Sequence, residues 1–210
     1  MKEILIFLTD GYADWESAQI AAELNKPELG FTVKTIALDK QPKKSMGGFS
    51  VLPDYEIGEP VFQKNDVALL VIPGGIGWYE TKNHKVAMLV DICLEKNIPV
   101  AAICDAVTFL ADHGYLDAVK HTGNTLGYLK GKAPHYKGQD FFVAAQAVSD
   151  GNFITANGTA PLEFAREILD ALGVMPNVAH AKDILEELNI DLGDSVAGWY
   201  AIWKRGIYTR

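Results

Sequence analysis

The chain predicts a doubly wound α/β sandwich: a mostly parallel sheet with helices on both faces, and a helical appendage at the C-terminal end. Three observations carry this. Short runs that are apolar throughout, at 67–72 and 98–103, suit strands buried on both faces, since a strand with one wet face would alternate. Longer stretches with apolar residues at helical spacing separate them, as crossovers between parallel strands require. The 210 residues, 49% hydrophobic and 22% charged, can bury a core without a metal or a disulfide framework, and the 2 cysteines cannot form such a framework.

Taken in order, residues 4–8 read as the first buried strand, and Asp14–Leu24 as a helix ended by Asn25, Lys26 and Pro27. Phe31–Ala37 is the second strand. Residues 39–63, with Gly47, Gly48, Pro53, Gly58 and Pro60, read as a long loop holding an irregular hairpin. Residues 66–72 form the third strand, stopped by Pro73, Gly74 and Gly75. The helix expected over 84–97 places Val86, Leu89, Val90 and Cys93 on one face. Residues 98–103 form the fourth strand and pass directly into a helix that runs to about His113 and stops at Gly114. Residues 141–148 and Phe153–Ala156 read as two more strands around a turn of Ser149, Asp150, Gly151 and Asn152. Residues 159–172 are a helix with Leu162, Ala165, Leu169 and Leu172 facing inward and Gly173 as its stop. Beyond it lie two expected helices, 177–188 and 194–204, which divide the chain into a domain over 1–173 and an extension over 174–210. The aromatic residues of the last helix, Trp199 and Trp203 among them, would pack on the core, meet a second subunit or cover the site.

Composition narrows the function. With 19 Lys+Arg against 27 Asp+Glu the formal charge is −8. No dense basic cluster exists apart from Lys204, Arg205 and Arg210 near the end, so no nucleic-acid partner is expected. The apolar runs fall far short of the roughly 20 residues that span a bilayer, so no membrane is expected. Without a signal-peptide pattern at the start, the expected compartment is the reducing cytoplasm. There is no His/Cys/Asp cluster at ligand spacing and no phosphate-cradling glycine motif, so neither a metal nor a cofactor is expected.

Cys104 carries the chemistry. It ends a buried strand and opens a helix, which places its sulfur on a tight turn beside free amide N–H groups and the positive end of the helix dipole, an arrangement that favours a thiolate. The same turn presents the serine of hydrolase nucleophile elbows. The alternative is a small hydrophobe that closes a strand, the role assigned to Cys93. In Pro73, Gly74 and Gly75, glycines allow backbone amides to approach a ligand. The amides of Gly75 and Asp105 would make a two-donor oxyanion hole, and a plain glycine-rich turn is the other reading. Glu16 opens the first helix. In a poorly solvated pocket beside a thiolate it would stay protonated and relay protons; elsewhere it would be a carboxylate favoured by the helix dipole. Asp14 reads as the N-cap. Spacing alone does not bring Glu16 to Cys104. Trp15 and Trp78 are expected to flank the pocket, with Gly74 in its wall.

Together, Asp10, Gly11 and Glu16 after the first strand, then Leu70 to Gly75, then Val100 to Cys104, then Asn157, Gly158 and Thr159 leading into Leu162 to Ala165, resemble the ThiJ/PfpI superfamily. This glutamine-amidotransferase-like group includes cysteine-dependent protein deglycases, glyoxalases and redox-responsive chaperones. The resemblance runs from residue 1 to about 172. It implies a flavodoxin-like three-layer sandwich, Cys104 as elbow nucleophile, Glu16 as its carboxyl partner, Gly75 and Asp105 as oxyanion amides, and a homodimer.

The departures are specific. The intracellular-protease branch has histidine directly after the cysteine, where this chain has Asp105. No histidine is followed two places later by glutamate, which argues against a glutaminase triad. In deglycase-like members a histidine reaches the cysteine from the segment after the elbow helix. Here that segment reads Lys120, His121, Thr122, Gly123 and Asn124, and an ungapped comparison puts Asn124 in the histidine's place, so His121 is either a substitute base or a surface or strand histidine. Two functions stay open. One is an enzyme that adds Cys104 to an electrophilic carbonyl of a small or protein-borne substrate. The other is a redox-responsive stress protein or chaperone whose Cys104 is oxidised reversibly.

Overall fold

The structure is a computed structural model that describes residues 1–175. The helices expected at 177–188 and 194–204 lie outside the described residues. In chain order the elements are β1 (Lys2–Phe7), α1 (Asp14–Leu24), β2 (Phe31–Ala37), the two-residue strands β3 (Lys43–Lys44), β4 (Ser50–Val51) and β5 (Tyr55–Glu56), then α2 (Val61–Lys64) and β6 (Val67–Ile72). They continue through α3 (Ala87–Glu95), β7 (Val100–Ile103), α4 (Asp105–Asp112), α5 (Leu126–Lys132), β8 (Ala147–Asp150), β9 (Phe153–Ala156) and α6 (Pro161–Ala171).

Seven strands form one sheet in the order β5-β2-β1-β6-β7-β9-β8, parallel except for β8, which runs antiparallel to β9. β3 and β4 form the small hairpin expected in the long loop. The flavodoxin-like three-layer sandwich is therefore present. The two-residue period of each strand divides its side chains between two cores. Leu5 and Phe7 join Leu70 and Ile72 under α3 and α4, while Ile4, Ile6 and Leu8 join Leu69 and Val71 under α1 and α6. Both faces are covered, which is why these strands read as continuously apolar. Among the described residues, no helix is long and apolar enough to cross a membrane.

Three expectations need correction, and one helix was not expected. The stretch 141–148 is a strand only at its end, because β8 begins at Ala147 and continues through Asp150, leaving Gly151 and Asn152 as the turn. Before it, residues 141–143 serve the segment at His121: the His121 N–H donates to Phe141 O at 3.2 Å and the Val143 N–H to His121 O at 2.8 Å. The helix expected from 84 starts as a 3₁₀ turn over Thr81–Val86 and becomes α-helical at Ala87. α6 buries Phe164, Ala165, Ile168 and Leu169 rather than the stripe through Leu162 and Leu172. α5 was not read from the sequence, because Gly127 and Gly131 lower its helix propensity; Thr125 caps it, with the hydroxyl accepting the Tyr128 N–H at 3.0 Å.

Candidate active site

The carboxyl ends of β1, β6, β7 and β9 meet at one edge of the sheet, where open α/β folds build their sites. Cys104 stands there between β7 and α4 with φ 60° and ψ −127°; only Asn97 is the other non-glycine residue at positive φ among those described. Such a conformation costs of order 1–3 kcal/mol and persists where the surroundings impose it. Here the Cys104 N–H donates to Ala156 O at 3.0 Å and Cys104 O accepts the Val107 N–H at 3.1 Å. The backbone is held from both sides and the half-buried side chain stands at the start of α4.

Glu16, only 1% exposed, lies in the first turn of α1. Its Oε2 accepts the Gly74 N–H at 2.6 Å, and its carboxyl group shares a hydrogen bond with the Cys104 sulfur. The contact that spacing alone did not supply is made because β1 lies beside β6, which lies beside β7. Gly74 allows the close approach: a Cβ there would lie 2.6 Å from Cys104 Cβ, 2.9 Å from Glu16 Oε2 and 3.0 Å from the Asp105 amide nitrogen. Asp14, expected as the N-cap of α1, is instead its first residue after Ala13, and its carboxylate accepts the Gly47 N–H at 2.7 Å, tying the β3–β4 hairpin to the helix.

Burial pushes the Glu16 carboxyl up to about 7. The Cys104 thiol is pushed up to about 12, first by burial and then by the negative charge of Glu16. Desolvation and the neighbouring carboxylate thus act against the thiolate that the helix end favours. Between those two values the pair holds one proton, bound by carboxyl and sulfur together.

Gly75, at φ 118°, sits opposite Tyr12 in a short antiparallel bridge. The bridge is closed by the Ala13 N–H to Gly74 O at 3.1 Å and the Ile76 N–H to Gly11 O at 3.0 Å. In this non-hydrogen-bonded pairing the N–H of Gly75 itself points away from the Tyr12 strand.

Asn124 touches the sulfur. Its Oδ1 accepts the Gly158 N–H at 2.9 Å, which leaves its Nδ2 to donate to Cys104 Sγ at 3.6 Å. His121 is not brought to the sulfur, correcting its expected role as substitute base. Its ring is fully buried, with Nδ1 on Val119 O at 2.7 Å and Nε2 on the Tyr136 hydroxyl at 2.6 Å, so both nitrogens are engaged.

The two tryptophans are placed differently. Trp15 is one residue from Glu16, hence about 100° around the helix, and is 49% exposed. Trp78 fastens the glycine loop from beneath: its indole N–H donates to Pro73 O at 2.9 Å and its ring stacks on Phe109 at 5.1 Å. Trp78 and Phe109 also border a groove of about 100 Å³, together with Tyr79, Asp105, Tyr128 and Lys132.

Gly158 is the site residue that the sequence reading missed, although its Asn-Gly-Thr segment after β9 was part of the pattern. A Cβ at Gly158 would lie 2.7 Å from Cys104 Sγ, while its backbone needs no positive φ. Gly158→Ala should therefore slow iodoacetamide alkylation of Cys104 by about tenfold, at a cost of about 1–3 kcal/mol for a methyl that also meets Cys104 Cβ at 3.1 Å. Fully buried Cys93, whose thiol burial also pushes up to about 12, provides an internal control that stays unmodified. An unchanged alkylation rate would mean that the sulfur is approached from another side. Among the described residues no group of three or more His, Cys, Asp or Glu side chains is placed to hold a metal ion.

Residues 2–171 match the family model for the DJ-1/PfpI family. The chain is 44% identical over 173 residues to a Bacillus subtilis protein named Uncharacterized protease YdeA, covering 82% of this chain and 84% of that one. Among solved structures, the DJ-1 superfamily protein Atu0886 from Agrobacterium tumefaciens is 36% identical with a TM-score of 0.76, covering 90% of this chain and all (100%) of that one. A thiJ/pfpI family protein from Bacillus anthracis is 32% identical with a TM-score of 0.79, covering 97% and 96%.

Proposed function

The chain belongs to the DJ-1/PfpI family, and from that premise we propose that it is a cysteine-dependent enzyme acting on an electrophilic carbonyl of a small or protein-borne substrate. One observation carries the reading: a buried carboxyl, pushed up to about 7 by its burial, is hydrogen-bonded to the sulfur of a cysteine held in an elbow conformation. A group poised at the working pH can take a proton and return it.

In this reading Cys104 Sγ forms a bond to the carbonyl carbon while its proton passes to Glu16. The carbonyl π electrons move to oxygen, where the amides of Gly75 and Asp105 hold the developing charge. Asn124 stabilises the sulfur as its proton leaves. Glu16 then protonates the oxygen, completing a hemithioacetal. With a 2-oxoaldehyde, removal of the adduct's C1 proton and its return to C2 gives a thioester. Water hydrolyses this to a 2-hydroxy acid and the free thiol. Peptide-bond hydrolysis, suggested by the name of the Bacillus subtilis relative, fits less well, because Asp105 stands where the protease branch has histidine to serve the leaving amine. The proposal includes a homodimer, to be tested by sedimentation.

A second reading is favoured by the amide of Asn124 at the sulfur in place of an imidazole. In it, Cys104 is a reversible oxidation sensor of a stress protein or chaperone. Methylglyoxal turnover separates the two. The parent should convert it, and Cys104→Ala should fall to the buffer rate, a loss of at least about a hundredfold. Equal inactivity of both, with stable oxidation of Cys104 by peroxide, would favour the sensor.

A further inference from the structure

Three polar residues are buried side by side behind the site: His121, Thr122 and Thr155 are 0%, 1% and 0% exposed. A buried polar group destabilises a fold unless it is hydrogen-bonded. Here each is bonded, and the bonds converge on one segment. The Thr122 N–H donates to Thr155 Oγ1 at 2.9 Å, and the Thr122 hydroxyl donates to Ala145 O at 2.7 Å. Because Val119 O can only accept, His121 Nδ1 carries the ring proton of the neutral imidazole, and Nε2 accepts from the Tyr136 hydroxyl at 2.6 Å. Two residues after Thr122, Asn124 reaches Gly158 with its carbonyl oxygen and the sulfur with its amide nitrogen.

The anchors lie on one strand and its continuation. Thr155 belongs to β9, and Gly158 follows its end. β9 pairs in parallel with β7, Ala156 opposite Ile103, and Ala156 O accepts the Cys104 N–H. The 121–124 segment is therefore pinned at two points to the strand that also holds the nucleophile's backbone.

We infer that Thr155 is a positioning residue for the nucleophile: its hydroxyl fixes the 121–124 segment on β9 so that Asn124 turns its amide N–H toward the Cys104 sulfur, while the His121 and Tyr136 pair holds the segment from the other side. Within the sheet that hydroxyl makes only a long donation to Val148 O at 3.4 Å, and valine otherwise suits a buried strand. This rests on Cys104 being the nucleophile. The charged groups facing the sulfur are Glu16 from α1 and Asp105 from the first turn of α4, and both favour the thiol; donation by Asn124 favours the thiolate. Loss of its orientation leaves burial and the two carboxylates to keep the proton on sulfur, opposed only by the amides at the start of α4.

The test is the pH dependence of Cys104 alkylation in the full chain. Thr155→Val and Tyr136→Phe should move the profile to higher pH and slow alkylation at pH 8 by about fivefold, the effect of one neutral hydrogen bond. Thr155→Ser, which restores the hydroxyl, should return the parent profile. Parent-like profiles for Thr155→Val and Tyr136→Phe, beside a shifted Asn124→Leu, would overturn the brace. An unshifted Asn124→Leu would remove Asn124 as the sulfur's donor and the inference with it. The nucleophile assignment would still be judged separately by Cys104→Ala turnover. Should Thr155→Val fail to fold, Tyr136→Phe decides alone.

Discussion

Gly75→Ala should destabilise the fold by about 3 kcal/mol or more, read as a lower urea midpoint at an unchanged m-value. Two effects add. At φ 118° an L side chain is strained, which costs of order 1–3 kcal/mol. The new methyl would also lie 2.2 Å from Gly11 O and 2.8 Å from the Ala13 amide nitrogen. Both are backbone atoms of the bridge that ties the end of β1 to the loop after β6, so no side chain can swing aside. Relief requires breaking the bridge, which would also carry Glu16 away from Gly74. The variant should therefore lose the Cys104 pH profile together with stability. Stability within about 0.5 kcal/mol of the parent would show that the loop relaxes freely and that its glycine is not a conformational requirement.

Glu16→Gln should stabilise the protein at neutral pH and leave it unchanged in acid. The carboxyl is raised from 4.5 to about 7 by burial. Below about pH 4.5 the group is protonated in both folded and unfolded chains and has no effect on their balance. As pH climbs toward 7, the unfolded chain releases this proton while the folded chain keeps it, so folding weakens. At about 1.4 kcal/mol per pH unit, the loss reaches about 3 kcal/mol by pH 7 and stays there. Glutamine is neutral throughout, and its amide oxygen can still accept from Gly74. The variant should therefore gain about 3 kcal/mol over the parent at pH 8, about 6–12 °C in melting temperature, and nothing at pH 4.5. The Cys104 thiol, raised from 9.0 to about 12, begins to weaken folding only above about pH 9, beyond the range of that comparison. Equal stability at pH 8 would mean that Glu16 pays no burial penalty and is not the proton carrier proposed here. With the expected gain, loss of turnover in the same variant would assign the instability of the parent to its chemistry.

The sheet was legible because burial on both faces removes the polar alternation from β1, β6 and β7 and leaves continuous apolar runs. Cys104 was legible because a strand that passes without a loop into a helix leaves one residue to make the turn. The stretch 141–146 misled, since its apolar residues pair with the segment at His121 rather than with the main sheet, and strand propensity does not say which neighbour a strand will find. α5 was hidden by two glycines. Trp15 and Trp78 were both expected at the pocket; helix rotation leaves Trp15 half exposed, while Trp78, drawn under the loop by its indole hydrogen bond, lines the groove beside Asp105.

By itself, the sequence determined the α/β architecture, the elbow position of Cys104 and the family pattern, because periodicity, turn chemistry and short motifs are local properties of the chain. Only the tertiary structure decided which groups meet the sulfur. Glu16 arrives from β1's end, Asn124 from a braced segment and Gly158 from β9, through pairings of residues dozens of positions apart. It also set the groups that compete for the proton: a helix end argues for a thiolate, while burial and an adjacent carboxylate, which depend on everything packed around the pair, raise the thiol.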